Sequence, residues 1–85
     1  MLAVQTVSNT NLTIYTVPTG KKAYVYVDIF APTSGDLSVM VNNKTYFSKQ
    51  SFSGHISFKL SLTSADSIAV SFTGTCHVFI HGEEV

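Results

Sequence analysis

The sequence contains no arginine and no tryptophan, and its few charges are dispersed. Five lysines and five acidic residues cancel to a formal net charge of zero, and the lysines stand at positions 21, 22, 44, 49 and 59 instead of forming a cluster. Binding to a polyanion needs clustered cations and arginine forks, and attraction to an anionic membrane also needs basic residues. We therefore expect neither a nucleic-acid nor a membrane partner.

Cysteine is almost absent as well. Cys76 is the only one, so the fold cannot contain an internal disulfide and must depend on its core. Cys76 alternates with Val78 and Ile80, which predicts a buried and unreactive thiol. The start of the chain lacks a signal-peptide pattern, and no stretch is long enough to span a membrane. We expect an intact cytosolic translation product.

No segment has the hydrophobic spacing of an amphipathic helix, and apolar residues instead alternate with a period of two. Between positions 21 and 30, Ala23, Val25, Val27 and Ile29 fall on one face of a strand. The same alternation recurs at Leu37/Val39/Val41, Ile56/Phe58/Leu60/Leu62, Ile68/Val70/Phe72 and Cys76/Val78/Ile80. Weaker strand candidates cover residues 2–7, 12–17 and 44–48.

Turn-forming residues separate these runs. They are Ser8–Asn11, Pro18–Gly20, Pro32–Asp36, Asn42–Asn43, Ser51–Gly54, Ser64–Asp66 and Thr73–Gly74. About eight short strands, spaced roughly eight to twelve residues apart, are typical of antiparallel sandwiches and small barrels. We predict that residues 1–85 form one all-β domain, a single antiparallel β-sandwich (jelly-roll or Ig-like) of about eight short strands.

The outward positions of two predicted strands are unusually aromatic. Where one face of an antiparallel sheet meets water, outward side chains are ordinarily polar. Here the outward residues include Tyr24, Tyr26 and Phe30 on one strand, and His77, Phe79 and His81 on another. If these strands are neighbours, the six side chains form one patch. We predict a protein interface, since interfaces are enriched in tyrosine and phenylalanine; a platform for sugar rings and ordinary surface area are the alternatives.

The three histidines do not have the spacing of a metal site. His77 and His81 are four positions apart, which is roughly 13 Å along a strand, whereas two nitrogen ligands of one zinc ion lie within about 4 Å of each other. A site would need a second subunit or His55. We predict no metal ligand and no cofactor.

The residues that could support catalysis are also scattered. There is no Gly-x-Ser-x-Gly motif and no local arrangement of a nucleophile with a base. Asp28, Asp36 and Asp66 lie on separate segments, and Asp66 stands where a turn enters a strand, which favours a role in capping the turn backbone. We therefore predict no catalytic residue and no enzymatic activity.

Three segments resemble those of a known group of proteins. Residues Ile14–Ala23 read Ile-Tyr-Thr-Val-Pro-Thr-Gly-Lys-Lys-Ala and are similar to the Leu/Ile-Tyr-Thr-Val-Pro-x-Gly-Lys-x-Ala opening of many small tailed-bacteriophage virion proteins. Leu62–Val70 fits their Leu-x-x-x-Asp-x-Ile-x-Val element, and Val78–Glu84 resembles their closing strand, which ends in Gly-x-Glu. The common form has glycine before the aspartate, where this chain has Ala65.

The resemblance covers residues 12 to 84 and implies a virion structural protein with a β-sandwich fold, present in many copies on a symmetric lattice or tube. We accordingly expect an oligomeric capsid decoration or cement protein that stabilises the particle. The alternatives are a tail, neck or fibre component, or a carbohydrate-binding adsorption module. Expected partners are further copies of the chain, for example in a trimer, other virion proteins such as the major capsid protein, and, for the adsorption module, a surface glycan. The expected location is the virion, assembled in the cytoplasm of the host bacterium.

Overall fold

A computed structural model describes residues 1–85, and the chain forms four long strands. These are β1 (Ala3–Thr16), β2 (Ala23–Val41), β3 (Lys44–Leu62) and β4 (Ser67–Glu84). Strands contain 82% of the residues and there is no helix, so no helix is available to cross a membrane. The all-β prediction is confirmed.

The four strands form one sheet in the order β1-β4-β2-β3, and every neighbouring pair is antiparallel. The last strand therefore lies between the first two, and β1 and β3 are the edges. Pro18–Gly20, Asn42–Asn43 and Ser64–Asp66 lie in the three connections, as predicted. In the Asn42–Asn43 hairpin both residues have positive φ, 53° and 64°, which is the conformation of the tight turns that favour asparagine.

The predicted sandwich of about eight short strands is wrong, and so are its jelly-roll and Ig-like versions. The remaining four predicted turns, at residues 8–11, 32–36, 51–54 and 73–74, lie inside the long strands. Each shows a register shift or a positive φ, as a β-bulge does. Consequently each pair of predicted short strands is one long strand with an irregularity at its middle.

These irregularities bend the sheet across its middle. The rings of Phe47 and Phe58 lie on the same strand, β3, with centroids only 5.0 Å apart, although eleven residues of extended strand span about 36 Å. The two halves of the bent sheet enclose one core of 19 buried side chains. No buried side-chain polar atom lacks a hydrogen-bond partner.

Alternation predicts the core well wherever a strand is regular. Ala23, Val25, Val27 and Ile29 are all buried, and so are Ile68, Val70, Phe72, Cys76, Val78 and Ile80. On the edge strand β3, Ile56, Phe58 and Leu60 are only half-buried, because no further strand covers them. In β1 and β3 the inward positions change from odd to even numbers across the bend, from Val7 to Ile14 and from Phe47 to Phe52. An extra residue at a bulge causes such a shift.

A row of hydrogen bonds crosses the sheet at the bend, in strand order from β1 to β3. Asn9 Oδ1 accepts from the Gly74 backbone N–H at 2.7 Å. Thr73 Oγ1 accepts from the Asp36 N–H at 2.8 Å, and Asp36 Oδ1 accepts from the Ser51 N–H at 3.2 Å. We call these five residues the bend line. Their side chains provide acceptors for backbone groups where the bulges interrupt the ladder.

Gly35 allows the closest approach of two strands at the bend line. A Cβ on this residue would lie 2.0 Å from the Thr73 carbonyl oxygen and 2.7 Å from the Phe72 ring. The Thr73 oxygen belongs to the backbone, so it cannot move aside as a flexible side chain could. Any residue larger than glycine would therefore push β2 away from β4.

We predict that Gly35→Ala destabilises the fold by about 3 kcal/mol, the upper range for forced overpacking. The matched control is Gly20→Ala, in the connection after β1. Gly20 has φ +82° but open space around its Cβ position, so alanine there should cost only about 1 kcal/mol of backbone strain. Urea denaturation measures both, and equal losses would contradict the role assigned to Gly35.

Candidate interaction surface

The six aromatic and histidine residues predicted to form a patch lie together on one face of the sheet. The reason is the pairing of β2 with β4, which the sequence left open. Phe30 is opposite His77, Tyr26 is opposite His81, and Phe79 is opposite Asp28. Their role as a protein interface stays a prediction.

Register extends this surface to all four strands. We call it the aromatic face, and it consists of outward residues on one side of the bend line. They are Val4 and Thr6 on β1, His77, Phe79 and His81 on β4, Tyr24, Tyr26, Asp28 and Phe30 on β2, and His55, Ser57 and Lys59 on β3. All three histidines of the chain belong to it.

The large apolar side chains of this face are open to solvent. Tyr24, Tyr26 and Phe30 are 47%, 50% and 44% exposed, and Val4 is 53% exposed. Phe79, between them, is half-buried. The rings therefore contribute little to the core, which lies on the opposite side of the sheet. The protein has no cleft or cavity that would enclose a small molecule.

Asp28 is the polar centre of the aromatic face. Ser57 Oγ donates a hydrogen bond of 2.6 Å to Asp28 Oδ1. His81 Nε2 lies 2.8 Å from Asp28 Oδ2, and His55 Nε2 lies 3.7 Å from Oδ1. The carboxylate thus has partners from β3 on one side and from β4 on the other. Sequence analysis missed this cluster, because alternation shows that Asp28 points outward but not which side chains on other strands it meets.

The chemistry of the Asp28 cluster differs from that of a nucleophilic triad. In a triad, histidine lies between serine and aspartate, so that it can take the proton of the serine. Here the aspartate lies between Ser57 and His81, and Ser57 donates its proton towards a carboxylate. No group of three or more histidine, cysteine or acidic side chains has the geometry to hold a metal ion. The arrangement orders the side chains of the face.

Two further contacts order the neighbouring side chains. Thr6 Oγ1 and His77 Nδ1 are 3.1 Å apart and form a hydrogen bond between β1 and β4. Lys59 Nζ lies 5.8 Å from the centroid of the Tyr26 ring, within the range of a cation–π contact. His77 and His81, on one strand, have different partners and are not brought together.

The other half of the sheet has an outer surface of different composition. One row across its four strands consists of Ser48, Ser38, Ser71 and Asn11. These small polar residues are the ordinary choice for a wet sheet face. Since this half of the sheet forms with small polar residues at outward positions, aromatic residues at outward positions are not needed to form the sheet.

Cys76 and Asp66 have the structural roles that the sequence predicted. Cys76 is completely buried, so its predicted burial is confirmed. Burial raises the pKa of its thiol to about 11, and its lack of reactivity stays a prediction. Asp66 accepts hydrogen bonds from the Thr63 backbone N–H and from Asn42 Nδ2, both at 2.8 Å. These bonds lower the pKa of Asp66, the bond from the Thr63 backbone most of all. The capping prediction is confirmed.

Asp66 therefore makes stability depend on pH. Its pKa is lower in the folded state, so its contribution is fully present above the unfolded value of about 4 and is lost as pH falls through the folded value. We predict that Asp66→Asn is less stable than the wild type at pH 7, and that the difference shrinks as the pH falls below about 4. Thermal unfolding over this range measures it. Glu83→Gln, which changes another exposed carboxylate, is the control, and a pH-independent difference would contradict the prediction.

Comparison with family models gives no match, and no curated protein shows significant sequence similarity to the chain.

Proposed function

We propose that this protein is a non-enzymatic structural component of a tailed-bacteriophage virion, an oligomeric decoration or cement protein that stabilises the assembled particle. The observation that carries the proposal is the aromatic face, a solvent-exposed set of rings on one half of a sheet whose other half carries the polar row of Ser48, Ser38, Ser71 and Asn11. The resemblance of residues 12–84 to small phage virion proteins supplies the biological context.

The composition of the aromatic face suits contact with another protein. The centres of interfaces are enriched in tyrosine and phenylalanine, and side chains of this kind provide most of the binding energy. Tyr24, Tyr26 and Phe30 follow one another along β2 with nearly half of each side chain exposed. Covering them with a partner would remove apolar surface from water without rearranging the core.

Asp28 and His77 of the aromatic face already have partners within the chain, which lowers the cost of covering them. A buried carboxylate is costly unless it is paired and hydrogen-bonded. Asp28 has Ser57 and His81 as partners within the same chain, and His77 has Thr6. A partner could therefore cover Asp28 without leaving its carboxylate unpaired.

The face has the size of a weak contact. Its residues span three positions on β1, five on β4, seven on β2 and five on β3, and at about 3.3 Å per residue and about 4.8 Å between strands this gives about 320 Å² per copy. Two partners together would bury roughly 600 Å², which is less than an isolated specific interface needs. Repetition on a symmetric lattice makes contacts of this modest size sufficient.

Stabilisation would follow from mass action. A protein that binds the assembled shell, and not its separated subunits, shifts the equilibrium towards the shell in proportion to its free concentration. Each bound copy then opposes expansion or loss of the lattice. Placement on a tail, neck or fibre would use the same surface, and separating heads from tails before analysis distinguishes these locations.

We predict that purified particles of the encoding phage contain this protein and that the Tyr24→Ser, Tyr26→Ser double variant binds them at least about tenfold more weakly, since two central rings of the interface are lost. Quantitative mass spectrometry of particles incubated with each form measures occupancy. Tyr46→Ser is the matched control, because Tyr46 is 51% exposed but lies outside the aromatic face. Particles that lack the protein, or equal binding by all forms, would refute the proposal.

Carbohydrate binding is the second candidate, and one observation favours it. Tyr24 and Tyr26 are exposed on the same side of one strand, an arrangement in which their rings could stack against sugars. We predict that under this alternative a glycan array gives hits with the wild type that the double tyrosine variant loses. An array without hits, together with unchanged adsorption of particles that carry the variant, would exclude it.

A further inference from the structure

The open sheet has two edges, and they differ in how they are protected. β1 pairs only with β4, and β3 pairs only with β2, so each edge strand has one side on which backbone N–H and C=O groups meet no strand of this chain. Natural proteins block such edges with lysine, proline, bulges or other charges, because a free edge is a template for another strand.

The β3 edge carries several of these protective features. It contains Lys44, Lys49 and Lys59, three of the five lysines in the chain. Ser51 and Gly54 have positive φ, 53° and 93°, and interrupt the regular strand. If two β3 edges came together, lysines of one copy would lie close to lysines of the other, and the irregular strand would interrupt the hydrogen-bond ladder.

The β1 edge has almost no protection. Its fourteen residues include no charged residue and no proline. Its register with β4 shifts at two places, between Ser8 and Thr10 and between Thr13 and Tyr15. At the first of these, Asn9 has positive φ. The segment Ala3–Ser8 before it pairs with β4 in unbroken register and is therefore a regular, neutral and open edge.

We propose that Ala3–Ser8 is a self-association site at which two copies of this chain pair their β1 strands antiparallel, forming one continuous eight-stranded sheet. A second copy fits because antiparallel pairing of identical strands is isologous. One two-fold contact satisfies both edges and closes the assembly, whereas pairing of β1 with β3 would continue as an open chain of subunits. Neutral strands place no like charges opposite each other.

This pairing would also enlarge the aromatic face. The two-fold axis of an antiparallel strand pair is perpendicular to the sheet, so the outer faces of both copies lie on the same side. Val4, 53% exposed on β1 and opposite Phe79 on β4, would lie near its counterpart in the other copy. The two aromatic faces would then form one surface. The edge contact itself does not depend on the proposed virion role.

A matched pair of charge substitutions tests the edge. Gln5 on β1 and Gln50 on β3 are both exposed, so Gln5→Lys and Gln50→Lys make the same chemical change on opposite edges. We predict a monomer–dimer equilibrium for the wild type by sedimentation or light scattering. Gln5→Lys should raise the dissociation constant about tenfold or more, because two lysines then lie near each other close to the two-fold axis of the contact. Gln50→Lys should leave it within about twofold.

Hydrogen exchange of the wild-type protein is a second test that needs no variant. Amides of β1, but not those of β3, should gain protection when the concentration is raised above the dissociation constant. A wild-type monomer at every concentration, equal effects of both lysine variants, or protection gained at β3 would overturn the proposal. The double variant Tyr24→Ser, Tyr26→Ser should still dimerise, so failure of the edge contact and failure of the proposed function are distinguishable.

Discussion

The rest of the structure depends on the hydrogen bonds of the bend line, which join Asn9, Gly74, Thr73, Asp36 and Ser51 across all four strands. Strands of 14 to 19 residues are much longer than the usual five or six, and a flat four-stranded sheet could cover only one side of its apolar residues. Because the sheet bends, the apolar side chains of one half pack against those of the other half. The bend is therefore the condition for a closed core in so short a chain, and it replaces the second sheet of a sandwich.

The bend also divides the outer surface into two parts of different composition. The polar row that contains Ser38 and Ser71 faces water as a sheet surface ordinarily does. The aromatic face has exposed rings around Asp28, and that carboxylate is held by hydrogen bonds within the chain. Since the core is complete without these rings, they are available for contacts outside the chain. The neutral β1 edge adjoins the same face and extends the available contact area.

Part of the candidate site was predictable from alternation. Period two places Tyr24, Tyr26 and Phe30 on one outward face, and His77, Phe79 and His81 on another, and strand adjacency then makes them one patch. The cluster around Asp28 was not predictable, because Ser57 and His81 reach it from strands on either side. A shift of one residue in either pairing would move those partners to the opposite face.

The sequence by itself determined the all-β class, the inward residues of the regular strand segments, the buried Cys76 and the capping role of Asp66, because each depends on local alternation or on contacts near a turn. The tertiary structure alone decided whether a cluster such as Pro32–Asp36 reverses the chain or bends a strand. Both outcomes use the same small and polar residues, and at Ser51 and Gly54 the bend also uses the positive φ of a turn. What separates them is whether a neighbouring strand continues the ladder beyond the irregularity, and that depends on residues distant in the sequence.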